Sequence, residues 1–201
     1  MISKHLSVPS TLALSAAITV ATLSAVLPAT LASSASMSSG KEVVVGGELM
    51  YASKDIVDNA VNSKDHTTLV AAVKAAGLVE TLKGAGPFTV FAPTNDAFEN
   101  LPAGTVETLL KPENKAGLTK VLTSHVVPGR LDAQELMKRI RSGGGKATLK
   151  TVSGATLTAR MNGERNIVLT DEKGGTAHVS TYDVRQSNGV IQVIDAVLLP
   201  M

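Results

Sequence analysis

The stretch GPFTVFAPTNDAF, residues 86–98, decides the fold of this chain. After a Gly-Pro turn, the run FTVF is rich in aromatic and β-branched residues, which is typical of a buried strand. Pro93 ends the strand, Thr94 is a preferred helix N-cap, and Asp96 falls in the first helical turn, where a carboxylate complements the free amides. The stretch also holds three of the chain's five aromatic residues. We therefore expect a strand, a tight turn and a helix that together nucleate the core.

The segments on either side of this stretch differ in their hydrophobic period. Upstream, apolar residues recur at spacings of three and four over 55–61 and 67–76, which predicts two short helices, the second ended by Gly77. Downstream, short helical patterns broken by Pro and Gly continue as far as Gly145. Apolar and polar residues then alternate between Asn-Gly and Gly-Gly turns, which predicts antiparallel strands. Helices in the first half and strands in the second favour an α+β fold.

The first 35 residues have the composition of a targeting segment. Lys4 provides a basic start, and an uncharged run rich in Ala, Leu and Val follows and ends in small residues. We predict a secretory signal peptide over residues 1–35, cleaved after Ala32 or Ala35. An uncleaved membrane anchor is the alternative, because the uncharged run over 11–40 is long enough to span a bilayer.

Two further segments are predicted after this leader. Residues 36–52 are rich in Ser and Gly and lack clear periodicity, so we expect a flexible linker. Residues 53–201 are expected to form one folded domain. A body of this size buries roughly 70% of the surface of its unfolded chain, so it is stable without disulfide bonds.

Composition and spacing exclude several classes of function. The chain contains no cysteine, which excludes disulfides, thiolate metal sites and cysteine nucleophiles. The net charge of +2 is too balanced for a nucleic-acid footprint, so we expect no nucleic-acid partner. The run Gly143–Lys146 lacks the upstream Gly and the following Ser or Thr of a phosphate-binding loop, and predicts a helix end or a hairpin loop instead.

Three histidines follow the predicted leader, and none is placed for catalysis. His66, His125 and His178 lie at no metal-ligand spacing from one another, so we predict no metal site and no cofactor. Ser124 and His125 are adjacent in a segment that we expect to be extended. Neighbours in a strand point to opposite faces, so these two side chains cannot form a nucleophile–base pair there. We therefore predict no catalytic residues and no enzymatic activity.

Three motifs, in this order along the chain, resemble those of the fasciclin-type FAS1 domain. GPFTVFAPTNDAF resembles the first signature of the family, LTSHVVPG (122–129) its central histidine motif, and NGVIQVIDAVLLP (188–200) its second signature. The resemblance covers roughly residues 53–200 and is closest to single-domain secreted bacterial members. It implies an α+β fold, a wedge-like antiparallel β-sandwich with a cluster of short helices packed at one end.

The resemblance also draws attention to His125, Val126 and Val127, which belong to the histidine motif. That motif has been proposed as an adhesion site in the family, and this implies that His125 contacts a ligand or receptor. The other interpretation is structural: a buried neutral imidazole that hydrogen-bonds to the backbone. Ser124 stands where the family usually has Tyr before this His. This departure favours the structural interpretation.

Two further groups are candidates for interaction or for structure. Thr94, Asn95 and Asp96 are expected to cap a helix, and the alternative is that they belong to a polar contact surface. Asp195 fits the second signature, and we expect its carboxylate to satisfy turn amides. Gln192 departs from the pattern because the family often has His there.

The predicted function is that of a secreted FAS1 domain without enzymatic activity. It would mediate cell adhesion, or contact with the cell surface or extracellular matrix, through a surface or matrix protein or a polysaccharide. The alternative is an extracytoplasmic carrier of an apolar, carotenoid-like or lipid-like molecule, because some members of the fold bind such ligands. The expected location is the periplasm, the cell surface or the medium, with no membrane insertion after cleavage.

Overall fold

A computed structural model describes residues 43–201 of the chain. The predicted signal peptide and the first part of the predicted linker lie outside the described residues. The helices are α1 (Ile56–Ala60), α2 (Thr67–Ala76), α3 (Val79–Lys83), α4 (Asn95–Glu99), α5 (Thr105–Leu110), α6 (Lys115–Ser124) and α7 (Ala133–Ser142). The strands are β1 (Val43–Val45), β2 (Glu48–Met50), β3 (Phe88–Pro93), β4 (Val126–Pro128), β5 (Lys146–Lys150), β6 (Thr156–Asn162), β7 (Asn166–Thr170), β8 (Thr176–Gln186) and β9 (Gly189–Ile194). None of the helices in 43–201 is long and apolar enough to cross a membrane.

Residues 43–50, which the sequence analysis assigned to a flexible linker, form a β-hairpin. β1 and β2 pair antiparallel around Gly46 and Gly47, whose φ angles of 61° and 76° suit a tight two-residue turn. Val45 and Met50 point inward and join the hydrophobic core. A Cβ on Gly46 would lie 2.7 Å from the backbone nitrogen of Asp65, so only glycine allows the turn to pack this closely. The folded domain therefore begins at or before Val43, and the linker prediction is wrong for this part of 36–52.

The remaining strands form one seven-stranded sheet in the order β4-β3-β9-β8-β7-β6-β5. β3 and β9 pair in parallel and every other neighbouring pair is antiparallel, so the sheet is mixed rather than wholly antiparallel. β8 belongs to both halves of the sheet, and its pairing with β9 shifts register around Asp183, which has a φ of 58°. Such an irregularity bends a strand and increases its twist. At the outer edges, the Val152 amide donates to the Val126 carbonyl, so β4 approaches the end of β5.

Two hydrophobic clusters lie on either side of this bend. One is formed by the N-terminal hairpin, the first helices and one face of β3 and β9, and includes Phe98. The other is formed by α7 and the inner faces of β5 to β8, with Phe91 among its fully buried members. The stretch 86–98 therefore contributes Phe98 and the partly buried Phe88 to the first cluster and Phe91 to the second, as expected of a core nucleus.

The local signals in the sequence set most of the helix ends. Thr94 and Asp132 are N-caps whose side chains accept hydrogen bonds from the amides of Ala97 and Glu135. Gly77 ends α2 in the left-handed conformation. α7 ends at the glycine run that follows Ser142. The predicted α+β architecture, with short helices and a large sheet, is confirmed.

Candidate functional site

His125 lies in the interior, at the end of a helix. It is the C-cap of α6 and has near-helical backbone angles, so the expectation that it is extended is wrong. Its side chain is 3% exposed, Nδ1 lies 2.8 Å from the carbonyl oxygen of Val121, and Nε2 accepts from the Leu198 amide at 3.0 Å. Because Nε2 must be an acceptor, the ring is neutral with its proton on Nδ1. Both ring nitrogens therefore bind backbone groups and neither faces solvent.

Burial lowers the pKa of His125, although the hydrogen bond to Val121 and the carboxylate of Asp171 oppose this effect. The two residues that follow, Val126 and Val127, are also buried and pair with β3. The three candidate residues of the histidine motif are thus packed inside the domain. No partner can touch them without displacing the core.

The Ser124 side chain has its own partners. Its Oγ donates to the Lys120 carbonyl at 2.6 Å and lies 3.0 Å from Oγ of Ser153. Ser124 and His125 therefore do not form a nucleophile–base pair, although the reason is helix-end geometry rather than the opposite faces of a strand. Within residues 43–201, no three His, Asp or Glu side chains are grouped so that they could hold a metal ion.

Thr94, Asn95 and Asp96 have different surroundings. Thr94 caps α4, and the Asn95 side chain ties α4 to the start of α2, because its Oδ1 accepts from the Thr68 amide and its Nδ2 donates to the Lys64 carbonyl. Asp96 is exposed. Of the three, only Asp96 presents its side chain fully to solvent.

Asp195 binds a strand amide rather than turn amides. Its Oδ1 accepts from the His178 amide at 2.7 Å, and its Oδ2 lies 3.1 Å from Nδ1 of the same residue. Both side chains are about half exposed. In the described part of the chain, no hydrogen bond joins the His125, Asn95 and Asp195 groups, so the sequence candidates do not converge on one site.

Gln192, the second departure from the family pattern, is fully buried. Its Nε2 donates to the Leu131 carbonyl and to Oδ1 of Asp183, and its Oε1 accepts from the Asp183 amide at 3.0 Å. Asp183 is the residue with positive φ at the bend of β8. The glutamine therefore holds the irregular backbone at this bend, which is a structural role.

Sequence reasoning missed a small cavity beneath the N-terminal hairpin. The cavity has a volume of about 30 Å³ and a lining that is apolar except for two residues, Ser63 and His66. Its apolar walls come from the hairpin, α1, α2, β3, β8 and β9, with Val45, Met50 and Leu69 among them. The minimum for one water is about 10–15 Å³, so the cavity has room for one or two water-sized molecules.

His66 is the polar group of this cavity. It is 3% exposed, Nδ1 lies 2.8 Å from Oγ of Ser63, and Nε2 has no hydrogen-bond partner in the described residues. Burial lowers the pKa of His66, and the Ala92 carbonyl and the Asp65 carboxylate offset this only in part. The sequence around His66, at the start of α2, does not indicate that this side chain lines a cavity. The cavity is closed by the N-terminal hairpin, which was expected to be a linker.

The second feature missed is the outer face of β5 to β8, which we call the outer sheet face. Its inner counterpart is buried under α7 and in the core, whereas the outward side chains are half-buried or exposed along all four strands. It carries Lys146, Lys150 and Arg160, and no ion pair in residues 43–201 involves any of them. Period-two alternation predicted a polar face here, but only the strand register brings the three cations together.

Comparisons with known proteins agree with this fold. The Fasciclin domain model matches residues 64–200. Protein sll1483 of the Synechocystis strain PCC 6803 is 48% identical over 160 residues, which cover 80% of this chain and 81% of that protein. Immunogenic protein MPB70 of Mycobacterium bovis is 36% identical over 146 residues, covering 70% of this chain and 66% of that protein.

A solved structure has the same fold. A FAS1 domain pair from the insect cell adhesion molecule fasciclin I aligns with a TM-score of 0.65 and 19% identity, over 73% of this chain and 51% of that chain. The resemblance in the three sequence motifs is thus confirmed, and the chain belongs to the fasciclin (FAS1) domain family.

Proposed function

We propose that this chain is a secreted FAS1 domain without enzymatic activity, which mediates adhesion to a cell-surface or matrix partner. The observation that carries the proposal is the outer sheet face. It is a polar surface with three cations that lack an ion-pair partner in the described residues, and none of the helices in residues 43–201 buries its outward side chains. His125, Val126 and Val127 of the histidine motif are buried and offer no alternative surface.

Two further findings support the proposal. The family includes the insect cell adhesion molecule fasciclin I, whose domain pair has the same fold. The neighbouring hydroxyl and imidazole of Ser124 and His125 are engaged elsewhere: His125 binds two backbone groups, and Ser124 binds Lys120 and Ser153. A predicted signal peptide over 1–35 would place the domain in the periplasm, on the cell surface or in the medium.

The test is retention of cells on a surface coated with the full chain. We expect cells or envelope fragments of the native host to be retained by the folded protein and not by protein unfolded before coating. Thr158→Phe adds bulk in the middle of the outer sheet face without changing charge, and we expect it to reduce retention strongly. Thr81→Phe, on the exposed surface of α3, is the matched control and should behave like the unmodified protein.

Two outcomes would contradict this proposal. Equal retention by folded and unfolded protein would show that the domain is not an adhesin. Retention that survives Thr158→Phe would place adhesion on another surface, such as the outer side of the hairpin, where the cross-strand pair Val44 and Leu49 is exposed.

The second candidate function is the carriage of an apolar small molecule, and the cavity lined by His66 is the observation that favours it. An apolar wall with one unpartnered polar atom is the chemistry of a ligand pocket. Its volume of about 30 Å³ is far below the roughly 300 Å³ of typical ligand pockets, so a carotenoid or lipid would have to displace the hairpin. Organic extraction of protein purified from its native host tests this: a recovered pigment or lipid supports carriage, and an empty extract excludes it.

A further inference from the structure

The register of β5 to β8 arranges the outer sheet face in rows that cross all four strands. One row contains Thr148, Thr158, Thr170 and Thr176, each directly opposite the next. Neighbouring strands are about 4.8 Å apart, so this row is a ladder of four hydroxyl groups about 14 Å long. The hydrogen bonds made by the described side chains leave all four hydroxyls without a protein partner. The row therefore offers an ordered line of free donors and acceptors.

Cations border this hydroxyl row on both sides. Lys146 and Arg160 are directly opposite each other in the row on one side, and Lys150 lies in the row on the other. Like charges at directly opposite positions of an antiparallel pair destabilise the sheet. Lys146 and Lys150 are four residues apart on one strand, which places their Cα atoms about 13 Å from each other. An anionic partner would relieve this repulsion.

Two carboxylates at the margin of the face, Asp195 and Glu172, are already engaged. Asp195 binds the amide and the ring of His178, which follows Arg160 and Val168 along the same row. Glu172 accepts from the Thr156 amide through Oε1 at 2.9 Å. Neither one forms an ion pair with Lys146, Lys150 or Arg160 in the described residues. These three cations are therefore available to an anionic partner from outside the domain.

We propose that the outer sheet face binds an acidic polysaccharide, a glycan chain with carboxylate or sulfate groups. This inference rests on the proposed adhesive function and names the chemistry of its partner. The acidic groups of the glycan pair with Lys146, Lys150 and Arg160, and its hydroxyls exchange hydrogen bonds with the threonine row. A flat face without a deep pocket suits a long chain that lies across the strands.

The same features disfavour other partners of the outer sheet face. It carries three cations, fewer than the six to ten phosphate contacts typical of a duplex DNA site. Val168 is the one apolar side chain among its outward residues in β5 to β8, so the face has nothing to insert into a lipid bilayer. No aromatic ring lies there to stack on a neutral sugar. Ion pairs and hydroxyl contacts are the interactions that this face can make.

The experiment measures binding of the full chain to alginate, which is carboxylated, to dextran sulfate and to uncharged dextran. We expect binding to one or both acidic polymers, none to dextran, and weakening as salt rises because exposed charges are screened. The variant K146Q/K150Q/R160Q should bind about ten-fold more weakly, as expected from the loss of three exposed ion pairs. The control variant K74Q/K111Q/R141Q removes the same charge from exposed positions in α2, after α5 and in α7, and should keep its affinity.

Several results would overturn the inference. Equal weakening by the two triple variants would mean that net charge alone attracts the polymer. Tighter binding to duplex DNA or to anionic lipid vesicles than to either acidic polysaccharide would assign the face to that other partner. If neither soluble alginate nor soluble dextran sulfate reduced the retention of host cells, this inference would be wrong, whereas the adhesive function would stand. If the unmodified protein did not retain host cells, the proposed adhesive function itself would be wrong.

Discussion

The two buried histidines of this domain are equally hidden from solvent and yet differ in their hydrogen-bond partners. His66 and His125 are each 3% exposed, each sits at one end of a helix, and burial lowers the pKa of both. His125 binds a backbone group at each ring nitrogen. His66 binds Ser63 through one nitrogen and leaves the other unpaired against a cavity.

The difference shows that burial alone does not define the role of a histidine. His125 joins the last turn of α6 to the C-terminal segment at Leu198, two parts of the chain that are 73 residues apart. It stabilises the fold through bonds that no apolar side chain could replace. His66 lies where the N-terminal hairpin covers the domain, at the least well-packed point of its hydrophobic cluster. There the interior has room for water or for a small displacement.

The largest effect is expected for His125→Ala. Truncation leaves the Val121 carbonyl and the Leu198 amide buried without partners, which costs about 1–3 kcal/mol of the free energy of unfolding. Urea unfolding measures this, with His66→Ala as the counterpart, which removes one hydrogen bond from a Ser63 hydroxyl that keeps the Val45 carbonyl and should cost less. If His125→Ala lowered cell retention without changing the unfolding midpoint, His125 would be a contact residue and its structural role would be wrong.

A smaller effect is expected from acid. Both pKa values are lowered in the folded state, so below about pH 6.5 the unfolded chain binds protons that the folded protein does not. The contribution of the two neutral histidines to the free energy of unfolding is therefore fully present above pH 6.5 and is lost as the pH falls. Between pH 6.5 and 5.5 the loss is at most about 1 kcal/mol for each histidine.

Urea unfolding of single variants at several pH values separates the contributions of His66 and His125 to this acid effect. In His66→Leu, only the acid destabilisation that comes from His125 should remain. In His125→Ala, only the acid destabilisation that comes from His66 should remain. A pH dependence that is unchanged in both variants would show that neither histidine is responsible.

Much of the fold could be predicted because it depends on local chemistry. The N-caps at Thr94 and Asp132 and the left-handed Gly77 are decided by residues within one turn, and the alternation in β5 to β7 by the period of a strand. The hairpin had a local signal as well. The Gly-Gly pair between VVV and ELM is a hairpin turn, but the surrounding Ser and Gly suggested a linker.

The features that could not be predicted depend on contacts between distant segments. The parallel pairing of β3 with β9 joins residues about one hundred positions apart, and no sequence period specifies a partner strand. The cation pair Lys146 and Arg160 exists only because of the register between β5 and β6. His66 is a candidate only because residues 43–50 cover it. A site built by non-local pairing has no spacing motif, whereas the histidine motif of His125 had one and led to a buried structural group.

The smallest effect is expected for His66→Leu. Leucine fills about the same space, removes the unpaired Nε2 from an apolar cavity, and loses one hydrogen bond to Ser63, whose Oγ retains the Val45 carbonyl at 3.4 Å. These gains and losses nearly cancel, so we expect the free energy of unfolding to change by less than about 1 kcal/mol. Urea unfolding at pH 7.5, where both histidines are neutral, isolates this effect from the acid effect. The contrary outcome is a fall in the free energy of unfolding of 2 kcal/mol or more, which is roughly the cost of leaving a buried polar group without a partner. It would show that His66 holds the hairpin as firmly as His125 holds the C-terminal segment. The contrast between the two histidines would then be wrong.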